Sequence, residues 1–223
     1  MADARCQVWH AELTLRHASH EALLDELERT RAGAFARPED RSRFVVGAAL
    51  LKLAVADATG LSPQEVVVDR TCDQCGEPHG RPRIPGTDVH VSVAHSGSLV
   101  AVALTRAGPV GIDVEQRTGQ WTSSLNRRVL AAAERAETQA QFLTYWCRKE
   151  SVVKATGEGL RVPLTDVVVS APGSPPALMS YRGGSMPAAM FDLRLDGPDY
   201  AGALTVLTDQ PVRLEVAQSG ALL

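Results

Sequence analysis

Two stretches of this chain run through the same signals in the same order, and that echo limits its possible folds more than any single motif. Residues Arg43 to Ala58 carry Phe44, Leu50, Leu51 and Val55 at helical spacing and stop at Thr59-Gly60-Leu61, before the short β-rich run Val66-Val67-Val68. Residues Phe142 to Ala155 do the same, stopping at Thr156-Gly157-Glu158-Gly159-Leu160 before Val167-Val168-Val169. Further on, Ala101-Val102-Ala103-Leu104 leads to Pro109-Val110 and a strand, and Ala201-Gly202-Ala203-Leu204 leads to Pro211-Val212 and a strand. Any one of these matches is unremarkable in an Ala- and Val-rich sequence; three in the same order favour duplication. The expected fold is therefore α+β: a pseudo-twofold pair of similar halves, residues 1–108 and 109–223, each a small antiparallel sheet packed on a long helix. A cleft between the halves is the natural place for a site. The Pro-, Gly- and Ser-rich stretch from Pro172 to Pro187 reads as a connecting surface loop.

Composition narrows the function classes. With 223 residues and 44% hydrophobic content, the chain can bury one large core or two small ones. A net charge of −3 excludes the broad basic surface of a nucleic-acid binder. The longest apolar stretch, Phe44 to Val55, is broken by Lys52 and too short to cross a bilayer. The N-terminus has no basic segment followed by an apolar run, so a cytoplasmic protein is expected. Four scattered cysteines suit free thiols better than a disulfide framework. Cys72-x-x-Cys75 followed by His79 offers half of a zinc site, but the second half is missing, and a turn-rich loop is the expectation there.

Two segments carry candidate chemistry. In a strand through Gly111-Ile112-Asp113-Val114-Glu115, side chains alternate, so Asp113 and Glu115 point to one face. Two converging carboxylates resist joint ionisation unless a cation neutralises them, and Mg²⁺, with its oxygen ligands and retained waters, suits the pair. A solvent-facing acidic edge strand has the same pattern. The second segment is Trp146-Cys147-Arg148-Lys149-Glu150-Ser151-Val152-Val153-Lys154, where Glu150 and Lys154 share a helix face. Taken alone, such a pair is also an ordinary helix stabiliser worth about 0.2–0.5 kcal/mol. Lys149 and Lys154 are two of only three lysines in the chain.

Together the segments say more. Gly-Ile-Asp-x-Glu, about thirty residues, then Trp-x-x-Lys-Glu-x-x-x-Lys resembles the signature of the 4′-phosphopantetheinyl transferases, most closely the larger surfactin-synthetase-activating type. That resemblance implies a pseudo-symmetric monomer that moves the phosphopantetheine arm of coenzyme A onto a serine of an apo acyl or peptidyl carrier protein, releasing 3′,5′-ADP. It implies Asp113, Glu115 and Glu150 as Mg²⁺ ligands, Glu150 as general base, and Lys154, with Lys149 beside it, as neutralisers of phosphate charge.

Upstream, Gly80-Arg81-Pro82 and His90-Val91-Ser92-Val93-Ala94-His95-Ser96 resemble the elements that hold the nucleotide end of coenzyme A in that family. Arg81 and His95 carry over as phosphate ligands, and Arg31 and Arg43 stand where the family often places basic residues; solvated helix charges read equally well. The chain departs from the pattern at Ser92, in place of Asn, and Ala94, in place of Ser, which removes one expected phosphate contact. Trp121 to Arg135, with Leu125, Arg127, Arg128 and Leu130, is a candidate carrier-docking surface. Two other readings remain at this stage: a different Mg²⁺ enzyme that cleaves a pyrophosphate, and a non-catalytic pseudo-dimer that binds coenzyme A or carrier proteins. No P-loop supports the former.

Overall fold

The computed structural model describes residues 4–118, 121–195 and 199–218. The chain runs β1 (Ala4–Glu12), α1 (Ala18–Ala22), α2 (Glu26–Gly33), α3 (Pro38–Thr59), β2 (His90–Ser96), β3 (Leu99–Thr105) and β4 (Val110–Gln116). It continues through α4 (Asn126–Val129), α5 (Gln139–Thr156), β5 (Val167–Val169), β6 (Leu178–Tyr181), β7 (Ala189–Asp192), β8 (Tyr200–Val206) and β9 (Val212–Gln218). The first sheet has the order β2-β3-β1-β9, the second β4-β8-β7, and β5 and β6 form a separate hairpin.

The echo in the sequence is visible in these orders. In each sheet an antiparallel hairpin, β2-β3 or β7-β8, is joined on the β3 or β8 side by an antiparallel strand that precedes the long helix in the chain, β1 or β4. The repeat is therefore strand, helix, strand, strand, whereas the matched runs in the sequence begin at the helix and take Val66–Val68 as the first strand after it. Val66–Val68 does not form a strand: beside Pro63 it finds no partner, and only Asp69 bridges to Arg83. Val66 instead plugs the core under α3 while Val67 is exposed. The last strand, β9, crosses back to pair in parallel with β1, extending the first sheet with a segment from the far end of the chain. The stretch from Pro172 to Pro187 contains β6, so it is more than a connecting loop.

Both long helices end where the sequence says they should. Gly60 and Gly157 adopt φ of 78° and 75°, a left-handed conformation that glycine enters without a Cβ penalty. α3 begins with Pro38 in its first turn, and α5 begins with a capping box between Thr138 and Gln141. α3 covers one face of the first sheet through Val46, Leu50, Leu51, Ala54 and Val55. The other face of that sheet meets β4 and β8 through Cys6, Val8, Ala101, Ala103, Ile112, Val114 and Leu204. Ile112 and Val114 are thus committed to the interior between the sheets, and the alternation of the strand turns Asp113 and Glu115 toward α5. Among the described residues no helix is long and apolar enough to cross a membrane.

β4 uses β8 for one edge, and its other edge faces β2 without a backbone ladder. Two serines close that seam. The Ile112 N–H donates to Ser92 Oγ at 3.2 Å and the Gln116 N–H to Ser96 Oγ at 3.1 Å. Strand-edge amides that would be unsatisfied are thereby capped, and the acidic strand is fixed against the first sheet.

Candidate active site

The site is set by how closely α5 lies on β4. A Cβ at Gly111 would stand 2.0 Å from the Ser151 carbonyl oxygen and 2.5 Å from the Ala155 nitrogen, so only glycine permits this approach. The neighbouring contact is made of small residues too: Cys147 of α5 packs on Ala201 and Ala203 of β8. The close approach brings Lys154 over Asp113, with Nζ donating to Asp113 Oδ1 at 2.7 Å and to the Ile112 carbonyl at 3.0 Å. Glu115 Oε2 accepts from Ser96 Oγ at 2.8 Å, so one serine both caps β4 and orients a carboxylate. Glu150, one helical turn before Lys154, completes the group on α5.

These acids are held under tension. Burial pushes the Asp113 carboxyl above its ordinary value, against the pull of Lys154. Burial also raises Glu115, with Asp113 adding to it, and raises Glu150, with Asp113 and Glu115 adding. Asp113 Oδ2 is buried with no hydrogen-bond partner. Three mutually repelling carboxylates, one with an orphaned oxygen, form a donor set of hard oxygens suited to a divalent cation such as Mg²⁺. Their donor atoms are not gathered into a tight cluster; among the described residues the group whose donors all lie within 4.8 Å of one another is Cys72, Cys75 and His79.

A cavity of about 490 Å³ opens beside Lys154, lined also by Arg81, Ser92, Val93, Gly157 and Arg161. Arg81 donates from Nη1 to the Ala155 carbonyl at 2.8 Å, tying its loop to the end of α5, while its buried Nε has no partner. A second, smaller cavity of about 190 Å³ shares Val93 and is lined by Arg31, Arg43, Arg70 and His95. Arg43 donates to the Gly97 carbonyl at 2.7 Å and pairs with Asp40; Arg31 donates to the Pro78 carbonyl at 3.1 Å and stacks over Phe44. Crowding by surrounding protein, then the charges of Lys154 and Arg43, hold the His95 imidazole below its usual pKa. Arg70 escaped the sequence reading because its segment has no helical or strand periodicity that predicts where its side chain goes.

The structure separates Lys149 from this group. Lys149 is fully buried, pairs with Glu134 and donates to the Leu164 carbonyl at 3.0 Å. Five residues along a helix is a rotation of about 140°, so Lys149 cannot share the face of Lys154, and its expected contact with phosphate is withdrawn. Its neighbour Arg148, also fully buried, grips Asp192 through two nitrogens at 2.8 and 2.6 Å and the carbonyls of Ser170, Ala171 and Ser174. Both are structural anchors of α5.

On the far side of Glu150 a groove of about 350 Å³ is lined by Leu125, Arg128, Val129, Trp146 and Leu164. Leu125 is exposed, as a docking residue must be, and Trp121 is half-buried against Phe142, whereas Leu130 is buried in the core below and is corrected to a core role.

A family profile described as the 4′-phosphopantetheinyl transferase superfamily matches residues 109–204, the span that runs from β4 to β8. A 4′-phosphopantetheinyl transferase of Bacillus subtilis is 30% identical over 146 residues, covering 61% of this chain and 62% of that protein. The 4′-phosphopantetheinyl transferase HetI of Nostoc sp. is 30% identical over 148 residues, with 62% of each chain covered. The 4′-phosphopantetheinyl transferase Sfp of Bacillus subtilis strain 168 is 27% identical over 145 residues, covering 61% of this chain and 62% of that protein. The match thus spans about three fifths of the length of each of these relatives.

Proposed function

We propose that this chain belongs to the 4′-phosphopantetheinyl transferase superfamily, as an enzyme of the Sfp-like type, and transfers the 4′-phosphopantetheine arm of coenzyme A to a serine of an apo acyl or peptidyl carrier protein, releasing 3′,5′-ADP. The observation that carries the reading is the meeting of Asp113, Glu115, Glu150 and Lys154 where α5 lies on β4, beside a cavity large enough for part of a nucleotide. Asp113, Glu115 and Glu150 are the residues that would hold Mg²⁺. Bound there, the cation would neutralise negative charge that builds on the phosphate oxygens.

The protein's own groups divide the remaining work. Glu150 accepts the proton of the carrier serine as its oxygen bonds to the β-phosphorus and the bond to the departing nucleotide phosphate breaks. That it also lines the groove through Leu125 and Arg128 supports this reading, because a carrier approaching along that groove would meet it. Lys154, on the wall of the larger cavity, offsets phosphate charge. Arg81 on the larger cavity, with Arg31, Arg43 and His95 on the smaller one, would hold the nucleotide end of the substrate. In this assignment residues 1–108 provide the nucleotide side and residues 109–223 the metal and catalytic side of a cytoplasmic monomer.

The test is intact-mass spectrometry of an apo carrier protein after incubation with the chain, coenzyme A and Mg²⁺. A gain of one phosphopantetheine, lost with Glu150→Gln or with EDTA, is the expected result. Several unrelated apo carriers left unmodified, while coenzyme A still binds, would favour a non-catalytic binder. The groove gives a second check: reversing the charge of Arg127 and Arg128 should raise the carrier KM and leave coenzyme A binding intact. An unchanged carrier KM removes that surface from the proposal.

A further inference from the structure

The loop between Asp69 and Arg83 has almost no regular structure, yet a series of backbone hydrogen bonds ties it together. Its two ends are bridged by Asp69 and Arg83, whose N–H groups donate to each other's carbonyls at 2.9 and 2.8 Å. Inside that bridge the Cys72 N–H donates to the Glu77 carbonyl, the Gly76 N–H to the Cys72 carbonyl, and the His79 N–H to the Glu77 carbonyl, at 2.9, 3.0 and 2.9 Å. Gly76 takes the left-handed conformation, φ 77°, that turns the chain back on itself. Gly80 closes the loop: its N–H donates to the Arg70 carbonyl at 2.6 Å, and a Cβ there would stand 2.7 Å from the Thr71 carbonyl. The backbone is folded so that Cys72, Cys75 and His79 meet.

We infer that Cys72, Cys75 and His79 bind a zinc-type divalent metal, with the fourth coordination position left to solvent or to an added ligand. Their donor atoms all lie within 4.8 Å of one another, and Cys75 Sγ is 3.0 Å from His79 Nε2. A tetrahedron built from ordinary Zn–S and Zn–N distances has edges of about 3.5–3.8 Å, so the contact needs to open by only about half an ångström. The backbone N–H groups of Cys75 and Gln74 point at the Cys72 sulfur, an arrangement that suits the thiolate a metal requires. Two thiolates and an imidazole favour zinc over the hard cations that suit Asp113, Glu115 and Glu150.

The metal would act as a staple. Cys72 and His79 line the larger cavity together with Gly80, Arg81 and Pro82, so closing the cysteine turn fixes the wall from which Arg81 reaches α5. The site does not depend on the transferase reading, because its ligands and its chemistry are separate from the carboxylate group.

The experiment uses the full chain, purified without a histidine tag and with reductant. Elemental analysis should give about one zinc per chain. After chelation, titration with Co²⁺ should produce the sulfur-to-cobalt charge-transfer absorption and the intense visible bands of a tetrahedral site. Cys72→Ser and Cys75→Ser should each weaken that binding by more than the roughly 100-fold upper end for losing an outer-shell partner. His79→Cys, which keeps three ligands, should retain it. Asp113→Asn should leave the thiolate bands untouched, which separates this site from the carboxylates. A chain that carries no zinc and gives only weak octahedral cobalt bands overturns the inference. So does a native mass lower by two hydrogens, which would show a Cys72–Cys75 disulfide instead.

Discussion

Replacing Gly111 with alanine tests whether the approach of α5 to β4 sets the site. The backbone at Gly111 is outside the left-handed region, so the substitution adds no conformational strain; what it adds is a methyl group with nowhere to go. The new Cβ would sit 2.0 Å from the Ser151 carbonyl, 2.5 Å from the Ala155 nitrogen and 3.0 Å from the Lys154 Cβ. Two of these three atoms are helix backbone, so no side-chain rotation relieves the contact. Restoring an ordinary separation of 3.4 Å from the carbonyl requires α5 to retreat by about 1.4 Å, an overpacking change that costs about 1–3 kcal/mol. The same retreat would stretch the 2.7 Å bond between Lys154 and Asp113 beyond hydrogen-bond range. Misplacement of reacting groups by about 1 Å can cost about 100-fold in rate. Urea denaturation and steady-state transfer to a carrier, measured on the same preparation, should therefore show a modest loss of stability and a kcat reduced by about two orders of magnitude. Gly33→Ala, where a Cβ meets nothing within 4 Å, is the control and should change neither by much. If Gly111→Ala keeps its kcat within about threefold of the wild type, spacing between α5 and β4 is not what positions the acids, and the reasoning fails.

Three other perturbations separate the roles assigned above. Lys149→Met leaves Glu134 buried without its partner and should cost about 3–5 kcal/mol in chemical denaturation. Because Lys149 faces away from the cavities, KM for coenzyme A in the surviving folded fraction should be unchanged; a large rise in that KM would restore Lys149 to phosphate binding. Asp113→Asn removes a carboxylate whose ionised form is disfavoured by burial, so the chain without divalent cation should melt no lower than the wild type, while the Mg²⁺-dependent rise in Tm and the activity disappear. A normal Mg²⁺ shift in this variant would contradict its place as a ligand. His95, His20 and His90 all have folded-state pKa values below the ordinary 6.5. The folded chain then binds fewer protons at these sites than the unfolded one, so their contribution is present above pH 6.5 and lost as pH falls through the lowered values. His95→Gln should flatten part of that fall in Tm, and superimposable pH curves for mutant and wild type would refute the assignment.

The fold was legible in the sequence to the extent that it depends on local signals. Gly60 and Gly157 mark helix ends because a left-handed residue there needs no side chain, and the strand-forming runs at Ala101–Leu104 and Ala201–Leu204 read correctly because both are fully apolar and bounded by turns. What failed were cases decided by distant partners. Val66–Val68 has strand composition, but composition cannot supply a neighbouring strand, and none is present beside it in the first sheet. β9 lies in the second half of the sequence, whereas its place beside β1 is settled by an edge just over two hundred residues earlier in the chain, as the pairing of Ala4 with Val212 shows. Spacing cannot foresee that choice.

The candidate site divides along the same line. Asp113 and Glu115 were readable from the two-residue period of a strand, and Glu150 and Lys154 from the four-residue spacing of a helix. Lys149 adjoins the motif in sequence, yet the same helical period turns it about 140° from Lys154, into the interior where it pairs with Glu134. Ser92 shows the converse. In the family pattern it stands in place of an Asn, one of two departures that together remove an expected phosphate contact, but in the fold its hydroxyl satisfies the Ile112 amide and helps hold the acidic strand in place. Leaving that amide without an acceptor would cost about 1–3 kcal/mol, comparable to the overpacking expected at Gly111. The geometry of the carboxylates therefore rests on two contacts that carry no reacting atom: a serine that pins β4 from the side of the first sheet, and a glycine that admits α5 from the other.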